Sequence, residues 1–243
     1  MPDPETPAPI LITGAGRNVG AHLARRLMAD GRPVIVHYRT PTADVDALTA
    51  AGAATVQGDL DSAAGIHAVA AAVAAAAPRL GGIVHNASAF ARTPDDTDDA
   101  TADFERYWAV HMLAPWLLDR LLGPRLTGTA QRPADIVYIT DIYADNPAPD
   151  FDVYCATKAG LQNLALSTAK RLAPAVKANV IQPGPIDFTE WHSEDDRDTI
   201  LAGTPLGRTG GPEAIYRALR GILDNDYLTG AVIPVDGGRR LGR

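Results

Sequence analysis

A chain of 243 residues with a formal net charge of -7 can bury about 70% of the surface its unfolded form exposes, as one large α/β domain or two small ones. That acidic balance supplies no general basic surface for a phosphate backbone, which argues against nucleic acid as a partner. The single cysteine, Cys155, excludes an internal disulfide framework and a multi-cysteine zinc site; no metal centre is expected, and a reducing cytoplasm fits. Cys155 itself reads as a small buried apolar residue.

The start "MPDPETPAP" is acidic and proline-rich and lacks the basic and apolar regions of an export signal, so residues 1–8 are read as a flexible segment. No stretch approaches the apolar length of a membrane span, and a soluble, cytoplasmic protein without a membrane partner is expected. Short apolar runs at 9–13, 33–38, 53–57, 81–87, 134–140, 178–183 and 231–237 read as buried strands. Between most of them lie helical stretches at 18–29, 62–77, 101–122, 152–173 and 212–223. The run "AVAAAVAAAA" belongs to a covering helix, because alanine is the best helix former. No linker or internal repeat interrupts the alternation. It predicts a single α/β domain over 1–243, a doubly wound, Rossmann-type parallel sheet covered by helices on both faces.

The first strand runs into "TGAGRNVGAHLARRL", with Gly14, Gly16 and Gly20 at the turn and helix opening. Glycines there let the backbone approach a pyrophosphate, and the helix N-terminus offers free N–H groups to its charge. Three residues separate Gly16 from Gly20, so this is not the ordinary dinucleotide fingerprint. The second strand ends "HYRT"; Arg39 and Thr40 offer a cation and donors where a site for the unphosphorylated cofactor would place an acid. NADPH is therefore the expected cofactor, with an ordinary surface arginine as the alternative. Asp59 and Leu60 are placed to meet the adenine edge, although "GDLDS" reads equally well as an acidic helix cap. Asn86, in "HNASAF", sits at a strand's carboxyl end, where it can bond both backbone and cofactor, and Phe90 lies beside that crevice. Tyr154 and Lys158 lie one turn apart on the helix 152–173. A neighbouring ammonium is expected to stabilise the phenolate, lower the phenol's pKa and make Tyr154 a general acid.

The motifs "TGAGRNVG", "HNAS", "YCATK", "QPGPIDF" and "VDGG" together resemble the short-chain dehydrogenase/reductase family over essentially the whole chain. The resemblance implies about seven parallel strands in one doubly wound sheet and assembly as homodimers or homotetramers through two long helices. It also implies that Val19, Tyr38, Ala87, Ser88, Pro183 and Gly184 contact the cofactor together with Gly14, Gly16, Arg17, Asn18 and Gly20. In the family a serine normally stands thirteen residues before the tyrosine; here that position is Asp141. A hydroxyl can donate to a developing alkoxide, whereas an ionised carboxylate only accepts and would repel it.

In that departure the chain resembles the pteridine and dihydromonapterin reductase branch, whose catalytic set is Asp, Tyr and Lys. "NASAF" and "YRT" match that branch as well. The resemblance implies a small-molecule dihydropterin substrate held between Phe90 and the nicotinamide and reduced at a ring carbon. Ser88 would contact cofactor or pterin, Lys158 the nicotinamide ribose, and Asp141 the substrate or a proton shared with Tyr154. If buried, Asp141 is expected to hold a proton near neutrality.

Two departures bear on detail. Asn18 stands where pterin reductases often carry arginine, with Arg17 as a substitute. His111 stands where many short-chain enzymes use asparagine to hold a water that feeds the lysine; the alternative is a packed helix histidine. Residues 186–203 fall where the fold places a mobile substrate lid. Its acids Glu194, Asp195 and Asp196 would disfavour a folate polyglutamate and favour an unconjugated dihydropterin, or are simply solvated. The tail residues Arg239, Arg240 and Arg243 reach a neighbouring subunit's site or stay at the surface. A reductase of another carbonyl or imine, and an idle dinucleotide-binding protein, are the competing functions.

Overall fold

Apolar runs too short for helices alternate with longer periodic ones, and each strand is followed by a segment that covers it. In the computed structural model, residues 7–188 and 192–242 are described. Seven strands, β1 (Ile10–Ile12), β2 (Val34–Tyr38), β3 (Ala54–Gln57), β4 (Gly82–His85), β5 (Ala134–Ile139), β6 (Val176–Pro183) and β7 (Val232–Val235), form one sheet in the order β3-β2-β1-β4-β5-β6-β7. All six pairings are parallel. Strand order reverses between β1 and β4, where Ile12 is in register with Val84. Loops leaving the two strands diverge there, and this is the crevice in which such sheets bind ligands. The expected doubly wound architecture is thus the observed one.

The helices are α1 (Asn18–Ala29), α2 (Ala43–Ala50), α3 (Ala63–Ala76), α4 (Thr97–Trp108), α5 (Ala114–Leu122), α6 (Asp152–Leu172), α7 (Glu194–Ala202) and α8 (Gly211–Leu223). On one face of the sheet α3, α5 and α6 bury Ile66, Val69, Leu118 and Leu161; on the other α1 and α8 bury Leu23, Leu27, Ile215 and Leu219. The alanine-rich α3 is held by its spacing: Ile66, Val69, Ala70 and Val73 recur at i, i+3, i+4 and i+7 and are all buried. Each of the three larger side chains contributes about 1.5–3 kcal/mol by leaving water. Its start is fixed by Ser62, whose Oγ accepts from Gly65 N at 3.2 Å.

Three elements differ from expectation. The helix predicted over 101–122 is α4 and α5 joined by a π turn at Ala109–Leu113, an interruption that inserts one residue and turns His111 inward. Helix α2, with only Val45 and Leu48 buried, and α7, with no buried residue, lack an apolar stripe and left no periodic trace. The segment predicted to be flexible falls mostly outside the described residues. No helix among the described residues is long and apolar enough to cross a membrane.

Candidate active site

Helix α6 extends past the carboxyl edge of the sheet, so one stripe of it serves two purposes. Leu161 and Ala165 pack in the core, and Tyr154 and Lys158, on the same face toward the N-terminus, reach the crevice. Asp152 in its first turn and Lys170 and Arg171 in its last oppose the helix dipole with the favourable sign. Asp141 leaves β5 in an extended conformation and caps the following short turn, its Oδ1 accepting from Tyr143 N at 2.9 Å. Its other oxygen, Oδ2, accepts the phenolic proton of Tyr154 at 3.0 Å. Lys158 Nζ donates to the carbonyl of Ile139 at 3.0 Å and is almost fully buried.

Burial governs the charge of all three groups. It raises the Asp141 carboxyl above its ordinary value, opposed by the Tyr143 N–H, the Lys158 charge and the Tyr154 hydroxyl. It lowers Lys158 to about 8, and Asp141 pulls in the other direction. Tyr154 is raised well above the usual phenol value, by burial first and then by the Asp141 charge and hydrogen bond. The expected depression of the phenol by lysine is therefore corrected. The ammonium lies 5.5 Å from the ring centroid and gives one of its three donors to a carbonyl, whereas the carboxylate touches the hydroxyl. The Tyr154 phenol is held protonated by burial first and by the carboxylate second. The expected rise in Asp141 is observed.

The loop after β4 is tied down from both sides. Asn86 Nδ2 donates to the carbonyls of Thr13 and Gly14 at 3.0 and 3.1 Å, and Thr13 Oγ1 accepts from the Asn86 and Ala87 amides. His111 Nε2 accepts from Ala89 N at 3.2 Å and from Ser88 Oγ at 2.9 Å. With that nitrogen an acceptor, the proton is assigned to Nδ1, which donates to Thr157 Oγ1 at 2.8 Å; that hydroxyl donates in turn to the carbonyl of Tyr154. Burial, then the Lys158 charge, holds His111 well below its ordinary value, so it is neutral. Both ring nitrogens are committed to protein, which corrects the water-holding role. His111 instead braces the Ser88 loop against α6.

The cavity beyond the ends of β1, β2 and β3 is lined by Gly14, Gly16, Arg17, Tyr38, Arg39, Thr40, Asp59, Leu60 and Ser88, together with His37, Thr42 and Arg106, which the sequence reading missed. Gly14 has φ +64, and a Cβ there would stand 2.7 Å from Ala87 Cα, so only glycine fits. Asn18, Gly20 and Ala87 do not line this cavity: Asn18 opens α1 at φ 50, Gly20 packs under Asn86, and Ala87 packs on Gly14. They shape the turn instead, because it closes against the next loop. Asp59 is not the helix cap, a role Ser62 takes; it accepts from Asp61 N. His37 Nδ1 accepts from Gly14 N at 3.2 Å and its Nε2 donates to the Gly58 carbonyl at 3.2 Å, linking the loops that follow β1 and β3. Burial lowers it to about 4. The glycine turn at a helix N-terminus, two arginines and Thr40 together fit a dinucleotide carrying an extra phosphate.

The adjoining cavity, of about 310 Å³, is lined by Val19, Asn86, Ser88, Phe90, Asp141, Tyr154, Lys158, Pro183 and Gly184. Its outer wall is Tyr143, Ile186, Asp187, Phe188, His192, Ile200 and Arg239. Phe90 stacks on Phe151 at 4.8 Å and meets Tyr154 edge-on at 4.8 Å, so its ring is already oriented. Of the segment read as a lid, Ile186, Asp187, Phe188, His192 and Ile200 line this cavity, and 189–191 lie outside the described residues. Its acids have a local structural role: Glu194, Asp195 and Asp196 form the first turn of α7, with Ser193 and Asp196 in a reciprocal capping box. Arg239 lines its own chain's cavity and Arg240 pairs with Asp236 at 3.1 Å, whereas Arg243 is outside the described residues. Cys155 is buried, as expected.

Residues 14–240 match the family described as enoyl-(acyl carrier protein) reductase. The dihydromonapterin reductase of Klebsiella pneumoniae is 37% identical over 237 residues, 98% of each chain, and that of Escherichia coli K12 is 34% identical over 235 residues, 97% of this chain and 98% of that one. Among solved structures, FolM alternative dihydrofolate reductase 1 from Brucella canis, complexed with NADP, has a TM-score of 0.86 at 27% identity, covering 97% of this chain and 95% of that one. Near-complete coverage at these identities, on a seven-stranded sheet with its tyrosine and lysine at the switch-point crevice, makes this chain an oxidoreductase of the short-chain dehydrogenase/reductase family.

Proposed function

We propose that the chain is an NADPH-dependent reductase that converts a dihydropterin to its tetrahydro form. The observation that carries this reading is the buried contact of Asp141 Oδ2 with the Tyr154 hydroxyl. An acceptor at that point repels the oxyanion of a simple ketone but suits a heterocycle presenting N–H donors or a C=N group to be protonated. The relatives that carry the names dihydromonapterin reductase and alternative dihydrofolate reductase support the same substrate class.

Bound NADPH would supply the hydride. Arg39 and Thr40 suit its extra phosphate, and the ammonium of Lys158 has two donors left for ribose hydroxyls after serving Ile139. Phe90, oriented by Phe151, offers an aromatic surface to the pterin. Tyr154 donates to Asp141, burial raises the carboxyl's affinity for a proton, and the pair is placed to present one to the ring nitrogen. Residues 186–203 would cover the bound substrate. Phe104, Trp108 and Trp116 leave aromatic surface exposed along α4 and α5, which favours a homo-oligomer assembled through those helices. Following NADPH oxidation with dihydromonapterin, dihydrobiopterin and dihydrofolate tests the assignment; turnover of none of the three rules it out.

A further inference from the structure

The reaction cavity is lined by two chemically distinct sets of side chains. Asp141, Tyr154, Lys158 and Phe90 surround the position for a flat ring. Arg239, delivered by the turn after β7, lines the same cavity and is its only arginine among the described residues. Its Nη1 donates to the carbonyl of Ile200 in α7 at 2.7 Å, which anchors the side chain. A guanidinium carries five N–H donors and no acceptor, so one such bond leaves most of its capacity unspent. The chain also makes room for it. A Cβ on Gly203 would come within 2.6 Å of Arg239 Nη1, so an alanine there would push the guanidinium aside. Asp236, buried behind it, accepts from Gly238 N and Arg240 N and sets the turn from which Arg239 projects.

The cavity's volume of about 310 Å³ lies near the lower bound of small-molecule sites, about 300 Å³, and favours a compact substrate. We infer that Arg239 is a specificity-determining residue that binds oxygen acceptors on the substituent remote from the reacting ring carbon, while Asp141 and Tyr154 hold the ring. The inference rests on the pterin reading and deepens it: the preferred substrate carries a hydroxylated or carboxylated side chain. A bare alkyl substituent would leave the guanidinium unsatisfied in a partly closed site, which disfavours such substrates.

The test compares wild type with Arg239→Ala, Arg239→Lys and Gly203→Ala in NADPH-oxidation kinetics. The substrates are dihydromonapterin for the polyol, dihydrofolate for the carboxylate and 6-methyl-dihydropterin for neither. Loss of a charge-assisted hydrogen bond raises KM about tenfold or more with kcat held, and Arg239→Ala is expected to do so only for the substrate whose oxygens are bound. The lysine variant should recover part of that loss, and Gly203→Ala, which displaces the guanidinium without removing it, should reproduce it. Thermal stability and NADPH affinity, measured alongside, should stay near wild type. An equal loss on all three substrates would show Arg239 to be a structural brace for α7, and no change on any would show that it does not reach the substrate; either overturns the inference. Wild type that turns over none of the three removes the pterin reading itself, and this inference with it, before any variant is compared.

Discussion

Tyr154 donates its phenolic proton to Asp141 Oδ2 at 3.0 Å, and burial first, then that carboxylate, opposes ionisation of the phenol. The pair behaves as one proton-holding unit, because each member's charge state changes the other's. Replacing Asp141 by Asn keeps the shape but removes the charge and the exchangeable proton. Its dihydropterin kcat should fall by about 100-fold or more, the scale of a lost general acid-base contribution. NADPH affinity should stay near wild type, because the cavity beyond β1, β2 and β3 is untouched. If Asp141→Asn lost no dihydropterin turnover, Asp141 would have no part in the proton step; a ketone activity that persisted in the variant while wild type lacked the pterin one would make the chain a reductase of another carbonyl.

Lys158 sets the alkaline side of activity. Its pKa is lowered to about 8, so the ammonium that suits the ribose hydroxyls is present below that pH and is lost as pH rises through it. A plot of kcat/KM against pH should therefore bend downward near 8. Asp141 holds Lys158 up, so in Asp141→Asn the residual activity should bend at lower pH still. A flat wild-type profile between about pH 7 and 10 would remove Lys158 from the binding step.

Arg39 should decide which dinucleotide is used. Arg39→Ala deletes a charge-assisted bond to the extra phosphate and is expected to weaken NADPH by about 1.5–3 kcal/mol, roughly 10- to 100-fold, with NADH little changed. Isothermal titration with both nucleotides measures this directly, and equal losses for the two would place the phosphate elsewhere.

His37 couples cofactor-site geometry to acid stability. Its folded pKa is about 4 and its ordinary value 6.5, so the unfolded chain binds the proton first as pH falls. The stabilisation is complete above 6.5 and is lost progressively down to about 4, an amount on the order of 3 kcal/mol at full span. His37→Gln should be less stable at neutral pH but lose less between those limits. Calorimetric scans at several pH values provide the slopes, and parallel slopes in the two proteins would contradict the linkage.

Gly14 tests the tightness of the turn. An alanine there meets both a positive φ and the Ala87 backbone, so Gly14→Ala should lose about 1–3 kcal/mol of stability and most of its NADPH affinity. Retention of both in thermal-shift titrations would mean that the loops part easily.

Much of this was written locally. The strand runs, the α6 stripe and the glycine turn are visible because periodicity and backbone freedom are properties of a few consecutive residues. Helices α2 and α7 were not, because they bury almost nothing and are held by caps such as Ser193 and Asp196 instead of a stripe. His37, His111 and Arg239 were misjudged or missed for a shared reason: their partners are the remote Gly58, Ser88 and Ile200, with which they share no sequence spacing.

The order of residues by itself determined the sheet, the crevice and the presence of a tyrosine, a lysine and an aspartate near its mouth. Only the packed chain decided which of them touch. The effect of a charge on a phenol depends on distance and on exclusion of water, and both arise when β5 and α6 are brought together: the carboxylate reaches the hydroxyl, and the ammonium is drawn to a carbonyl.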